Sequence, residues 1–268
     1  MSTKKVLIIG ANSQIGSFLF NYLELKGTEV YGTTRRRELI TQSNKYIYLD
    51  LLSDGEIKNI EDFDIAIFCA GITGIEFCEQ NKSLSNLINV TYTIQLIKKL
   101  IRKNIKVLFL SSNKVFNGTK SFYKYSDLTS PNTTYGLQKT IVENSFLNSN
   151  FCTLRLTKVL TNESPMLQEW GKCIREKKRI KLSCSSFISP ISLNEVGEAV
   201  QMIIKMEIEG NAKHGNIYHL GGKEELSLFH FAQDHLKNNF QSGHLLVEKS
   251  NKYFGKKVYN SLETYLPS

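Results

Sequence analysis

The chain has 268 residues, 41% of them hydrophobic, with 34 basic against 25 acidic side chains and a formal net charge of +9. This is enough for a full α/β core with a small annex and argues against disorder, while the longest apolar runs are far too short to span a bilayer. The N-terminus leads straight into a strand-like run with no signal-peptide core, so a soluble, cytoplasmic protein without membrane contact is expected. The basic clusters Arg35-Arg36-Arg37, Lys177-Lys178-Arg179 and Lys256-Lys257 lie far apart. The charge therefore reads as solubility plus attraction for a phosphate-rich ligand, not as a nucleic-acid surface. The five cysteines (Cys69, Cys78, Cys152, Cys173, Cys184) are odd in number and never form C-x-x-C, which suggests neither a disulfide framework nor a metal site.

The run Lys5-Val6-Leu7-Ile8-Ile9 predicts a strand covered on both faces. It enters the turn Gly10-Ala11-Asn12-Ser13-Gln14-Ile15-Gly16, after which Ile15, Phe18, Leu19, Tyr22 and Leu23 recur at helical spacing until Gly27. Strand, glycine turn and helix are the context in which a helix N-terminus holds a pyrophosphate. Ser13 occupies the middle position of the G-x-x-G-x-x-G fingerprint, so the motif is incomplete. A second strand, Glu29-Val30-Tyr31-Gly32, ends in Thr33-Thr34-Arg35-Arg36, where NAD-specific proteins place an acid. Guanidinium groups there favour a 2′-phosphate, hence NADP(H). A third strand, Lys45 to Leu51, ends at Asp50, either an acceptor for the adenine amino group or a helix cap. A fourth, 64–71, ends in the small residues Cys69, Ala70 and Gly71, suited either to close approach by a dinucleotide or to simple packing.

A helix opening at Leu87 carries Asn89 near its start. The strand Lys106-Val107-Leu108-Phe109-Leu110 then delivers Ser111-Ser112-Asn113 at its carboxyl end, the edge at which open α/β sheets bind ligands. Ser130-Pro131 predicts an N-cap followed by proline at the first helical position, and Tyr135 and Lys139 sit four apart on that helix, stacked on one face. Making a tyrosine of pKa about 10 useful near neutrality needs roughly 4 kcal/mol, about the worth of one cation at ~4 Å with an effective dielectric of ~20. Ser112 would hold the substrate oxygen and Tyr135 would transfer the proton.

Together these segments resemble the extended short-chain dehydrogenase/reductases, in the branch of dTDP-4-dehydrorhamnose reductase. The likeness rests on the glycine turn, Asn89, Ser111-Ser112-Asn113-Lys114-Val115-Phe116-Asn117-Gly118, Pro131 followed by Tyr135-Gly136-Leu137-Gln138-Lys139 and Glu143, Leu154-Arg155-Leu156, Ser189 to Val196, and Gly215 to Gly222. It implies a Rossmann doubly wound parallel sheet with helices on both faces and a small C-terminal α/β substrate-binding annex. The NADP-binding domain would span 1–155 and the substrate-binding region 156–268, with segments near 188–205 and 214–222 returning to the first domain. The catalytic set it implies is Ser112, Tyr135, Lys139 and Asn89. The cofactor set is Gly10, Asn12, Ser13, Gln14, Ile15, Gly16, Thr34, Arg35, Arg36, Asp50, Leu51, Cys69, Ala70 and Gly71, with Tyr135 and Lys139. Substrate contacts fall to Asn113, Val115, Phe116 and Phe187.

The implied activity is NADPH-dependent reduction of a 4-keto-6-deoxy nucleotide-diphosphate sugar. An NAD(P)-dependent epimerase and a non-catalytic nucleotide-binding regulatory subunit are the alternatives. A dehydratase would add an acidic pair after Ser112, and Asn113-Lys114 supplies none. Family members often pair through helices flanking the sheet, so a homodimer is a further expectation. The sequence departs from the family at Ser13 and in the loop Ser183 to Ile188, and the part after Arg155 is short.

Overall fold

Short apolar runs separated by amphipathic segments can bury both faces only as a parallel sheet between helices, and the first half of the chain does so. It runs β1 (Lys5–Ile9), α1 (Gln14–Leu25), β2 (Glu29–Thr34), α2 (Arg37–Gln42), β3 (Tyr46–Tyr48), β4 (Ile65–Phe68), α3 (Ile75–Gln80) and α4 (Lys82–Asn86). A π-helical turn (Leu87–Tyr92) leads into α5 (Thr93–Arg102), β5 (Lys106–Ser112), α6 (Thr134–Asn144) and β6 (Phe151–Leu156). The second half adds α7 (Pro165–Arg175), β7 (Ile180–Leu182), β8 (Phe187–Ile188), α8 (Leu193–Glu209), β9 (Ile217–Leu220), β10 (Leu226–Ser227), α9 (Leu228–Asn239) and β11 (Val247–Lys249). The computed structural model describes residues 4–52, 63–146, 150–210, 216–240, 246–250 and 257–267. Gly215 and Lys256 lie outside them.

Seven strands pair in the order β3-β2-β1-β4-β5-β6-β9, every pair parallel. The order reverses between β1 and β4, which makes this a doubly wound α/β sheet with its switch point beside the glycine turn. Alternation along the strands feeds two cores. Val6, Ile8, Ile65 and Ile67 pack with Leu19 and Leu23 of α1 and with Val196, Val200 and Ile203 of α8. Leu7, Ile9, Phe68 and Phe109 pack with Leu96, Ile97 and Leu100 of α5 and Val142 of α6. Each such side chain stabilises the fold by about 1.5–3 kcal/mol on burial.

Helix α8 begins in a capping box between Ser192 and Glu195 and lies against α1, while β9 adds the seventh strand beside β6. The annex is a smaller α/β layer in which Leu167 and Trp170 of α7 meet Phe229, Ala232 and Leu236 of α9, flanked by the β7–β11 pair. The C-terminal segment then runs back across the molecule, bridging Ser186 to Val258, Tyr123 to Leu262 and His219 to Tyr265. No helix among the described residues is long and apolar enough to cross a membrane.

Three local features differ from the sequence reading. The third strand is only Tyr46–Tyr48, so Asp50 lies in the turn beyond it. The helix holding Tyr135 starts at Thr134, not at Pro131. Its cap is Thr133, whose hydroxyl accepts from the Gly136 amide at 3.1 Å, and Glu79 accepts from the Thr134 amide at 2.6 Å. Those two acceptors satisfy the first turn, whereas the Ser130 amide is spent on the Val115 carbonyl. Finally, the helix opening at Leu87 is locally wound as a π-turn around Asn89, a distortion common at functional sites.

Candidate active site

A cleft opens at the switch point along the carboxyl ends of β1 to β4. It is lined by Gly10, Asn12 and Ser13 after β1, by Thr33, Thr34 and Arg35 at the end of β2, by Leu49 to Leu52 after β3, and by Ala70, Gly71 and Ile72 after β4. Gly10 turns the chain at φ +86°, and a Cβ on it would meet Ala70 at 2.9 Å. A Cβ on Gly16 would stand 2.3 Å from the Gly10 carbonyl, so this glycine lets α1 sit on its strand. Ser13 is the N-cap of α1: its hydroxyl donates to the Gly10 carbonyl at 2.8 Å and accepts from the Gly16 amide at 3.0 Å. The serine that breaks the fingerprint thus closes the turn itself, in an extended conformation that needs no glycine. The amides of Gln14 and Ile15, which have no intrahelical acceptor, are left to an anion.

At the second strand Gly10 donates to Thr33 and Thr34 donates to Asn12, which joins the first two loops. Arg35 lines the cleft and no acid stands beside it at the end of β2. Arg36 caps α2 and does not line the cleft. Asp50 and Leu51 both line it, and the Asp50 carboxylate accepts from the Leu52 amide at 3.0 Å. Gln14 reaches away to Thr161, and Ile15 faces a second cavity instead. Cys69 packs against the sheet core, where burial pushes its thiol up to about 12 and leaves it inert as a nucleophile. The donor set therefore fits a dinucleotide: free helix amides for a pyrophosphate and a guanidinium, with no carboxylate, at the ribose end.

Ser112 closes β5, and Tyr135 and Lys139 project from the buried face of α6 toward it. Burial pushes the Tyr135 phenol well above its ordinary pKa, opposed by a hydrogen bond with Ser112. Among the described residues the hydrogen bond of Lys139 goes to the backbone, not to the phenol. Its ammonium donates to the Leu110 carbonyl at 2.8 Å and lies 4.3 Å from the Phe109 ring centroid against 5.8 Å from that of Tyr135. Burial lowers its pKa to about 8, with the Glu143 charge working the other way. Contrary to the expectation that the cation depresses the phenol, desolvation is the larger effect. Tyr135 consequently holds its proton at neutral pH, the form a proton donor needs.

Asn89 is buried and fully engaged. It accepts from the Ile72 amide at 2.8 Å and donates to the Ile72 carbonyl at 2.9 Å and to Gln138 at 2.8 Å. Gln138 in turn donates to Ser85 at 2.9 Å. This clamp fixes the loop after β4 to the helix of Tyr135, so Asn89 positions the site through its neighbours. Gln138 was missed in the sequence, where the only sign was a polar residue one step before Lys139.

The second cavity, of about 470 Å³, is lined in part by Tyr135, and its size is within the range of small-molecule sites. Its wall includes Ser112, Asn113, Tyr135, Met166, Ile188 and Asn260, together with Lys114 and Lys158, which the sequence reading did not single out. Asn113 donates to the Asn260 carbonyl at 2.8 Å. Val115 and Phe116 do not line it: they are buried in a small core with Tyr123 and Leu262, Phe116 stacked on Tyr123 at 4.3 Å. Phe187 stacks on Tyr259 at 5.1 Å, with its carbonyl accepting from Asn260, and stands behind the wall.

Beneath the cavity runs a buried polar chain. Arg155 forks onto Glu143, with Nη2 to Oε2 at 2.6 Å, and both side chains are 3% exposed. Its other nitrogen faces His219 Nε2 at 3.3 Å, and His219 Nδ1 meets the Tyr123 carbonyl at 3.2 Å. A carbonyl only accepts, so Nδ1 carries the proton and Nε2 accepts from Arg155. Burial, then the Arg155 charge, lower the His219 pKa to about 4 and keep it neutral.

A family model described as RmlD substrate binding domain matches residues 4–255. The chain belongs to this family. Among its relatives, dTDP-4-dehydrorhamnose reductase from Aggregatibacter actinomycetemcomitans is 26% identical over 242 residues, 85% of this chain and 76% of that one. Methionine adenosyltransferase 2 subunit beta from Xenopus laevis is 23% identical over 240 residues, 86% of this chain and 70% of that one. The structure of dTDP-4-dehydrorhamnose reductase from Bacillus anthracis in complex with NADP superposes with a TM-score of 0.76 at 17% identity, covering 98% of this chain and 90% of that one. The matched region runs from before β1 to beyond β11 and includes the whole cleft and every lining residue of the cavity except Asn260.

Proposed function

We propose that this RmlD family member is an NADPH-dependent reductase that converts the keto group of a 4-keto-6-deoxy nucleotide-diphosphate sugar to the hydroxyl, with Tyr135 as proton donor. The observation that carries the reading is a juxtaposition: Ser112 and Tyr135, whose phenol burial holds above its ordinary pKa, stand together in the cavity, and the cleft at the switch point holds Arg35 with no acid beside it at the end of β2. A reduced nicotinamide, when bound, supplies the hydride equivalent. Ser112 and Tyr135 hydrogen-bond the substrate carbonyl oxygen, and Tyr135 gives up its proton as that oxygen becomes basic. Lys139 stabilises the transient phenolate by its charge and, with one N–H bound to Leu110, keeps two donors free for the ribose side. The cofactor preference is supported by Arg35 and by the NADP complex of a structural neighbour. The substrate class is supported by the reductase relative.

A second reading, a nucleotide-binding subunit of another enzyme, is favoured by the similarity to methionine adenosyltransferase 2 subunit beta. The two part in one assay: purified protein, NADPH and a panel of keto nucleotide sugars, followed by nicotinamide absorbance and product analysis. Stoichiometric oxidation with one sugar supports the reductase. Binding of NADPH without turnover of any sugar supports the subunit, and isomerised sugar without net oxidation supports an epimerase.

A further inference from the structure

The wall of the substrate cavity carries two cations and no carboxylate. Lys114 follows Ser112 by two residues, and Lys158 lies just beyond the end of β6; both line the cavity that holds Ser112 and Tyr135. Neither has a carboxylate partner among the described residues. Lys114 is half-buried and is aimed: Asn260, carried in by the returning C-terminal segment, accepts from its ammonium while donating to the Phe187 carbonyl at 2.7 Å. Ser111 and Thr157 belong to the same wall, and their buried hydroxyls have no hydrogen-bond partner among the described residues.

We infer that Lys114 and Lys158 form the subsite for the diphosphate of the substrate, with Asn260 positioning Lys114; the inference rests on the nucleotide-sugar reading above. A wall of donors with two positive charges matches ligand oxygens that only accept and carry negative charge. The mutual repulsion of the two lysines, and the burial that lowers the Lys114 pKa, are both relieved when an anion lies between them. A neutral sugar alone would leave both costs in place.

The test is calorimetric titration of the full chain, saturated with NADP+ so that its own diphosphate site is filled, with dTDP and UDP against thymidine and uridine. The wild-type protein is expected to bind a nucleoside diphosphate much more tightly than the nucleoside. Lys114→Met and Lys158→Met are each expected to lose about tenfold, and the double variant about a hundredfold, the worth of charge-assisted hydrogen bonds. Nucleoside binding and NADP+ affinity should stay unchanged, which also reports that the variants are folded. Lys114→Arg should retain most of the affinity, and Asn260→Leu should fall between the wild type and Lys114→Met. Equal diphosphate affinity in the wild type and the double variant overturns the subsite and leaves the substrate reading standing. No diphosphate binding by the wild-type protein overturns both.

Discussion

The cleft from Gly10 to Ile72 and the cavity from Ser112 to Asn260 adjoin at the loop after β4, where Ile72 lines one and Thr73 the other, yet they are assembled differently. Each wall of the cleft is the loop that directly follows one strand, so its shape comes from short-range turns laid side by side by the sheet. The cavity instead joins β5, α6, α7, β8, α9 and the C-terminal segment, and its central contact links Asn113 to Asn260 across 147 positions of sequence. The lesson is that one side of the site depends on local backbone geometry and the other on the packing of the whole chain. Mutations on the two sides should accordingly fail in different ways.

The largest effect is expected where the cavity depends on the buried chain beneath it. Arg155→Met leaves Glu143 charged and unpaired in the interior and should cost about 3–5 kcal/mol of unfolding free energy, read by urea denaturation. If it costs under 1 kcal/mol, the cavity floor is not held in this way. Acid should expose the same network through His219. The folded protein keeps this imidazole neutral down to about pH 4, whereas the unfolded chain protonates it near 6.5. The stability it contributes is therefore complete above pH 6.5 and lost as the pH falls toward 4, an effect of about 3 kcal/mol. A flat stability profile across that window would contradict the assignment.

On the cofactor side, Arg35→Ala should leave stability unaltered and raise the KM for NADPH about tenfold or more while hardly changing that for NADH, as expected for loss of a charge-assisted phosphate contact. Equal losses for both cofactors would mean that Arg35 does not read the phosphate. The smallest effect belongs to Ser13→Gly. It restores the glycine fingerprint, and since glycine is nearly as good an N-cap, thermal stability should drop by only a few tenths of a kcal/mol. A large loss would show that the hydroxyl does more than close the turn.

The same contrast explains what could be read from the sequence. The glycine turn, the absence of an acid after β2 and the four-residue spacing of Tyr135 and Lys139 are local signals, and the corresponding residues lie where the turn and helix geometry requires. Lys114, Lys158 and Asn260 carry no local pattern, because only the return of the C-terminal segment brings Asn260 to Lys114. Val115 and Phe116 read as substrate contacts because they follow Ser112 closely, but the turn Asn113–Val115 and stacking on Tyr123 direct them into a core. Ser130-Pro131 resembles a helix start, yet Thr133 and Glu79 supply the better acceptors three residues later. The balance of burial against charge at Tyr135 was likewise invisible, since it depends on which carbonyl Lys139 finds.

The central claim, that Tyr135 delivers the proton in a reduction, is tested most directly by single-turnover NADPH oxidation with the keto sugar that the panel identifies, comparing the wild type with Tyr135→Phe. The account predicts unchanged NADPH binding and a rate lower by about 10²–10⁴-fold, the usual worth of a general acid. A Tyr135→Phe variant that turns over at the wild-type rate would contradict it.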